Sequence, residues 1–351
     1  MLATIFITVL FFMIWRVNMK SAYEVECRAK EGKHINTIKE DLEALVDKRL
    51  HWTLLTLPIL GIVIFTILPL VFMICMAFTS YSKVGDHLTI FHWVGLKNFS
   101  TVLGMGNSIG KTFWSVLGWT LIWAVLATFL NYILGMILAI VINRKTTRIK
   151  GFWRFCFMLS AAIPQFVSLL LMRTMLKDNG LINNLLVQAG LISSPLPFLT
   201  NATWARATVV IINLWVGIPF TMMQVTGILQ NIPGELYEAA RVDGAGPVTI
   251  FFKITLPYML FVTTPYLITT FTGNINNFNV IYLLTAGAPV PVGATAGKTD
   301  LLVTWLYKLT VDLQYFNVGA VVGILTFVIL AVVSLITYRN TGSYKNEEGF
   351  Q

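Results

Sequence analysis

Asn213, Gly217 and Phe220 stand at i, i+4 and i+7, and Thr270, Asn274 and Asn277 repeat that spacing further along the chain. On helices, each trio shares one face. Side-chain amides offer donors and acceptors without a charge to desolvate, a glycine lets a ring approach closely, and an aromatic covers a ring's apolar face. Such a set suits a neutral polyhydroxylated ligand. The same asparagines suit a second role, because an amide in a membrane helix can bond a neighbouring helix for ~0.6–2 kcal/mol. Spacing leaves both readings open. Asn276 and Asn279 fall on the opposite face.

Other constellations fail on spacing. Gly293 to Thr299 and Gly106 to Thr112 look like phosphate-binding loops, but each has three residues between its glycines where four are needed to wrap a phosphate. His87 and His92, with Asp86 beside them, read as solvated or interfacial histidines rather than metal ligands. Cys27, Cys75 and Cys156 lie far apart and read as packing residues. No Ser/His/Asp set or paired carboxylates accompany the apolar runs, so the chain reads as non-catalytic and without a metal site.

The elements that must position the two trios follow from composition. Of 351 residues, 56% are hydrophobic and 12% charged, and mean hydropathy is +0.74. Soluble domains carry about 25% charge, so a soluble enzyme, a disordered chain and a disulfide scaffold are excluded. The net charge of +9 is spread between uncharged runs and forms no nucleic-acid patch. A bilayer crossing takes about 20 apolar residues. Long enough runs occur at Trp52–Tyr81, Thr112–Asn143, Phe155–Met172, Ala207–Gly234, Ile254–Gly297 and Tyr315–Tyr338. With the shorter Met1–Trp15, about seven helices are expected, and the Ala286–Gly297 end lies at or dips into the interface.

Basic residues orient the bundle. Alternate loops place 17 of the 25 Lys and Arg on one side, which the positive-inside rule makes cytoplasmic. The N-terminus is then outside and the C-terminus inside. Met1–Trp15 lacks a basic segment before it and a cleavage site after it, so it reads as a helix rather than a signal peptide. Being short, it also fits a start truncated by one helix. In the basic stretch Lys20–Leu50, Thr37 and Glu40 have capping-box spacing. Ile38, Leu42, Leu45 and Val46 share a face, as in a helix lying on the membrane surface.

Between the fifth and sixth spans runs Glu235 to Pro257. Pro233 and Gly234 end a span, and Glu235–Val242 is expected to be a short helix with acids in its first turn. Asp243-Gly244 turns the chain, and Pro247 starts a second short helix leading into the next span. This helix–turn–helix leaves Tyr237, Val242, Phe251 and Phe252 exposed, either on the membrane surface or as a knob for a soluble partner.

The segment resembles the EAA signature of ABC-importer permeases: Glu238-Ala239-Ala240, then Gly244, then Ile254-x-Leu256-Pro257. The resemblance covers roughly Thr112 to Tyr338. It implies an all-α polytopic fold, the ABC type-1 importer transmembrane domain, with a cytoplasmic coupling helix. Glu238, Ala239, Ala240, Asp243, Gly244, Ile254, Leu256 and Pro257 would then couple to the ATPase. Residues 1–111 would hold the N-terminal helices and a short outer loop, 112–338 the transmembrane domain, and 339–351 a cytoplasmic tail. Implied partners are a second permease subunit, two ATPase subunits using ATP and Mg, an extracytoplasmic binding protein, the sugar and membrane lipid. No cofactor and no nucleic acid is implied for this subunit.

Within the family, Asn213 to Phe220, Asn274 to Phe278 and Thr299 to Val303 look like the larger permease subunit of maltose/maltodextrin importers in a bacterial cell membrane. That likeness implies substrate contacts at Asn213, Val216, Gly217, Phe220, Thr270, Gly273, Asn274 and Asn277. Phe220 replaces a Tyr of that subunit, and Val216, Thr270 and Gly273 replace Leu, Ser and Phe, which bears on sugar preference. The outer loop Ser82–Lys111 is too short for the large external domain of some relatives. A secondary transporter or channel, the rival class, would use intramembrane charges as relays. The long runs have none.

Overall fold

The computed structural model describes residues 2–84, 87–88, 91–144 and 146–339. The C-terminal tail, including Lys345, and Asp86 lie outside them. The chain divides into two compact units, Met1–Phe78 and Thr79–Gln351. The second unit begins earlier than the boundary expected at residue 112. The segment ahead of residue 112 packs within it: Asn98 Nδ2 donates to the Thr79 carbonyl (2.7 Å) and Asn317 Nδ2 to Asn98 Oδ1 (3.2 Å).

The first unit holds four helices. α1 (Leu2–Lys30) carries the opening apolar run on into the basic stretch. α2 (Ile38–Val46) begins at the expected capping box: Thr37 N–H donates to Glu40 Oε2 (2.7 Å), and Glu40 N–H to Thr37 Oγ1 (3.4 Å). The bond from the Thr37 amide, with a smaller contribution from His34, holds the Glu40 carboxyl below its ordinary pKa. α3 (Leu50–Ile62) and α4 (Leu68–Met76) join through a π-helical turn, Val63–Ile67. The widened turn gives room to Pro69, whose ring would otherwise meet the carbonyl four residues back.

The second unit opens with a hairpin of two-residue strands, β1 (Lys83–Val84) and β2 (His87–Leu88), and a short helix α5 (Lys97–Leu103). α6 (Ser108–Asn143) is the central post. Small residues on its buried face, Ala124, Ala127, Gly135 and Ala139, let neighbours approach; a Cβ at Gly135 would come within 2.7 Å of Thr221. α7 (Lys150–Ala162) and α8 (Gln165–Met175) follow, then α9 (Leu181–Gln188) and α10 (Ala202–Gln230). α11 (Gly234–Val242) and α12 (Pro247–Ile250) form the expected helix–turn–helix. A second π turn, Phe251–Thr255, again two residues before a proline, leads into α13 (Leu256–Ile275). α14 (Phe278–Leu284), α15 (Leu302–Tyr307) and α16 (Phe316–Arg339) complete the unit.

Among the described residues, five helical segments are long and apolar enough to cross a bilayer, or six if the bent pair α7–α8 counts as one. That pair covers the run expected as one span, Phe155–Met172, and bends within it. α7 and α8 meet at 83° across Ile163-Pro164. Pro164 has no N–H for the Ser160 carbonyl, and Ile163 takes the extended backbone imposed on a residue before proline (φ −83°, ψ 129°).

Among the described residues, the two largest apolar clusters lie along α6. Trp119, Trp123 and Ala127 of α6 pack with Leu169, Val209, Ile212 and Ile281 at one end. Tyr132, Met136, Ala139 and Ile142 pack with Met222, Val225 and Met259 at the other. The irregular stretch between α14 and α15 is folded around one carboxylate. Asp300, with no exposed side chain, accepts from Gly297 N–H (2.7 Å) and Thr304 Oγ1 (2.9 Å) and pairs with Lys308 (2.6 Å). A Cβ at Gly287 (φ +80°) would overlap that carboxylate, and one at Gly297 would overlap the Gly287 carbonyl. In the other loop-like motif, a Cβ at Gly110 would overlap the Gly104 carbonyl. Packing thus accounts for these glycines.

Candidate functional site

A cavity of about 490 Å³ lies between α6, the α7–α8 break, α10 and α13. α10 contributes Asn213, Val216, Gly217, Phe220 and Thr221, and α13 contributes Tyr266, Thr270 and Asn274. The break contributes Ser160 to Gln165, with Ser168 one turn further, and α6 contributes Asn131. No Lys, Arg, His, Asp or Glu is among these residues.

Six of the expected residues therefore come together: Asn213, Val216, Gly217, Phe220, Thr270 and Asn274. Their helical period does the work, since residues four apart on α10 and on α13 face the same way. Asn277 does not line the cavity. α13 ends at Ile275, and Asn277 caps α14 instead, its Oδ1 accepting from Val280 N–H (3.2 Å). The i+7 position exists only while the helix continues. Gly273 is exposed and also absent from the wall.

The two readings of the asparagines divide between residues. Asn274 serves helix packing: its Nδ2 donates to Thr128 Oγ1 (3.0 Å), and Trp123 Nε1 donates to its carbonyl (3.1 Å). Asn213 is 6% exposed, and its amide has no partner among the described residues. The side chains of Gln165 and Thr270 are likewise unbonded there, while Tyr266 Oη lies 3.5 Å from Thr221 Oγ1. Unengaged amides and hydroxyls on a concave uncharged wall are free to bond a ligand.

Gly217 allows a close approach within the cavity wall. The space beside it is filled by Asn131, whose amide atoms would lie 2.7 Å from a Cβ at 217. Asn131 Nδ2 donates to the Ala127 carbonyl (2.7 Å), which fixes the orientation of the amide, and Oδ1 is buried without a partner. The glycine admits a neighbouring asparagine to the cavity wall. Asn131, Gln165, Ser168, Thr221 and Tyr266 escaped the sequence reading. Pro164 inside an apolar run was the available signal for the break and for Gln165 beside it.

At the other end of α10, the helix–turn–helix has the expected bounds to within a residue. Gly244 has φ +78°, and Pro247 opens α12. Glu238, Ala239, Asp243 and Gly244 are exposed and Ala240 half-buried. Ile254 and Leu256 are half-buried, and Pro257 is exposed. Val242 is 87% exposed and Phe252 59%. Two residues expected on the surface turn inward: Phe251 packs against the apolar cluster that includes Met259 and Val225, and Tyr237 Oη lies 3.2 Å from Thr255 Oγ1. His87 and His92 are exposed, and no group of three or more His, Cys, Asp or Glu positioned for a metal occurs among the described residues.

Residues 131–341 match the family model of binding-protein-dependent transport system inner membrane components. The chain belongs to this family. The permease is thus an integral inner-membrane protein and a non-catalytic transport component. It is 35% identical to the galactooligosaccharides transport system permease protein GanP of Bacillus subtilis, over 95% of this chain and 80% of that one. It is 34% identical to the maltodextrin transport system permease protein MdxF of the same organism, over 97% and 80%. A crystal structure of a bacterial alginate ABC transporter, in complex with an alginate pentasaccharide-bound periplasmic protein, shares the fold. It has TM-score 0.68 and 23% identity, covering 86% of this chain and 98% of that one.

Proposed function

We propose that the permease is one of two membrane-spanning subunits of an ATP-driven sugar importer, and that its cavity passes a neutral oligosaccharide of the maltose/maltodextrin class. The unbonded amides and hydroxyls of Asn213, Gln165 and Thr270 on a wall without charge carry this reading. Sugar hydroxyls need both donors and acceptors, and amides supply both. Phe220, 52% exposed, offers an apolar face for a pyranose ring. The volume falls within the ~300–1,000 Å³ usual for small-ligand sites. The similarity to MdxF supports maltodextrin. The comparable similarity to GanP supports a second reading, a galacto-oligosaccharide. An acidic saccharide fits poorly, because its carboxylates would lose water without meeting a cation.

In this account an extracytoplasmic binding protein delivers the sugar, and two ATPase subunits consume ATP and Mg. The segment α11–α12 is the contact with those subunits. Its exposed Val242, Val248 and Phe252 would fill a groove, Glu238 would pair with a base there, and Gly244 supplies the tight turn. The N-terminus would lie outside and the C-terminus in the cytoplasm. Closure of the ATPase pair would tilt α10 and α13 so that the cavity opens alternately to either side. ATPase activity of the whole complex in lipid vesicles, with binding protein and a panel of sugars, tests the assignment. Maltodextrins should stimulate it most, and stimulation by acidic sugars alone would overturn it.

A further inference from the structure

We propose that the corner between α6 and α7 is a binding site for an anionic phospholipid headgroup. Arg144, Lys145, Arg148, Lys150 and Arg154 follow one another here, and no Asp or Glu occurs between Asp86 and Asp178. The described bases divide into two pairs. Lys150 donates to the Asn143 carbonyl (3.0 Å) and Arg154 Nη2 to Asn143 Oδ1 (2.6 Å), so both close the C-terminal end of α6. Arg144 and Arg148 are exposed and have no ion-pair partner among the described residues.

The backbone between the pairs is strained. Ile149 has φ +54° and ψ +49°, a left-handed conformation that is an outlier for a β-branched residue. Burial within the chain does not offset that cost, since Ile149 is 74% exposed. Phe152, Trp153 and Phe155, on the first turns of the bent span, are exposed at 54%, 47% and 63%. Free arginines beside a rim of outward aromatics, at the point where a helix enters the apolar layer, match a headgroup above acyl chains. A soluble subunit is the poorer fit, because the apolar surface continues along the span itself through Leu159 and Phe166.

The test uses the complete transporter in nanodiscs of mixed phosphatidylglycerol and phosphatidylcholine, with retained lipids counted by native mass spectrometry. Wild type should keep phosphatidylglycerol preferentially. Each surface cation changes anionic-lipid binding about fivefold, so Arg144→Gln/Arg148→Gln should weaken retention roughly thirtyfold. The Arg144→Lys/Arg148→Lys variant should retain most of it, which separates charge from misfolding. Undiminished retention in the Gln variant, or equal retention of phosphatidylcholine by wild type, would overturn the proposal. Displacement of the lipid by millimolar inorganic phosphate would reassign the site to a soluble anion. Retention only when the ATPase subunits are absent would reassign it to a protein contact.

Discussion

Substituting Gly217 by Ala probes the closest approach in the cavity wall. The added Cβ would lie 2.7 Å from both amide atoms of Asn131 and 2.9 Å from its Cγ, so one helix or the asparagine must move. Asn131 resists, because its Nδ2 is held by the Ala127 carbonyl at 2.7 Å. Overpacking of this kind costs ~1–3 kcal/mol, and swinging the amide away forfeits a bond of ~1 kcal/mol. That range corresponds to roughly five- to 150-fold in the balance between packed and parted helices. Gly217→Ala should therefore lower the thermal midpoint of the detergent-solubilised complex and reduce uptake per assembled complex. Asn131→Ala alone removes one bond but also a buried, partnerless oxygen, and should cost under ~1 kcal/mol. In the double variant the overlap disappears, so the two effects should be strongly non-additive, with stability returning toward that of Asn131→Ala. A Gly217→Ala protein as stable and active as wild type, or a double variant with simply summed losses, would refute the packing argument.

Asn277→Ala should remove the cap of α14 and cost ~1 kcal/mol in thermal unfolding while leaving sugar affinity unchanged; a loss of affinity at unchanged stability would return Asn277 to the cavity. Gly244→Val forces a β-branched residue to φ +78°, so inserted protein should lose sugar-stimulated ATPase and fail to pull down the ATPase subunit. Full coupling in that variant, and in Glu238→Lys, would sink the role given to α11–α12. With the native cysteines removed, external labelling should reach cysteines introduced in Leu181–Pro195 but not in Thr146–Arg148, and the reverse pattern would invert the orientation.

Periodicity made the two polar faces visible because α10 is one unbroken helix through Asn213, Gly217 and Phe220. It failed at Asn277 because the apolar character of the run persists beyond the end of α13. The signal that the helix restarts is local: Asn277 stands directly ahead of Phe278 and the apolar Val280 to Leu284, an N-cap pattern. The α11–α12 segment was legible because its punctuation is strong, with Pro233, Gly244 and Pro247 each dictating a backbone state. The inward turn of Phe251 was not, since it depends on which helix passes behind it. Asn131 stands far from the two trios in sequence and shares a wall with them only through the packing of α6 on α10. The approach of Asn131 to Gly217 is hidden from the sequence for the same reason. A glycine announces that something approaches closely, and only the fold says what.

The central claim is that the sugar occupies the cavity of α10 and α13, and Val216 lies on its wall. The direct measurement is maleimide labelling of Val216→Cys, in a background without Cys27, Cys75 and Cys156, on the assembled transporter with and without maltotriose and binding protein. The account predicts that maltotriose slows labelling at this position and leaves a control cysteine at Val46, exposed on α2 and outside both the cavity and α11–α12, unaffected. Equal labelling rates with and without sugar, in a transporter that still imports maltotriose, would contradict it.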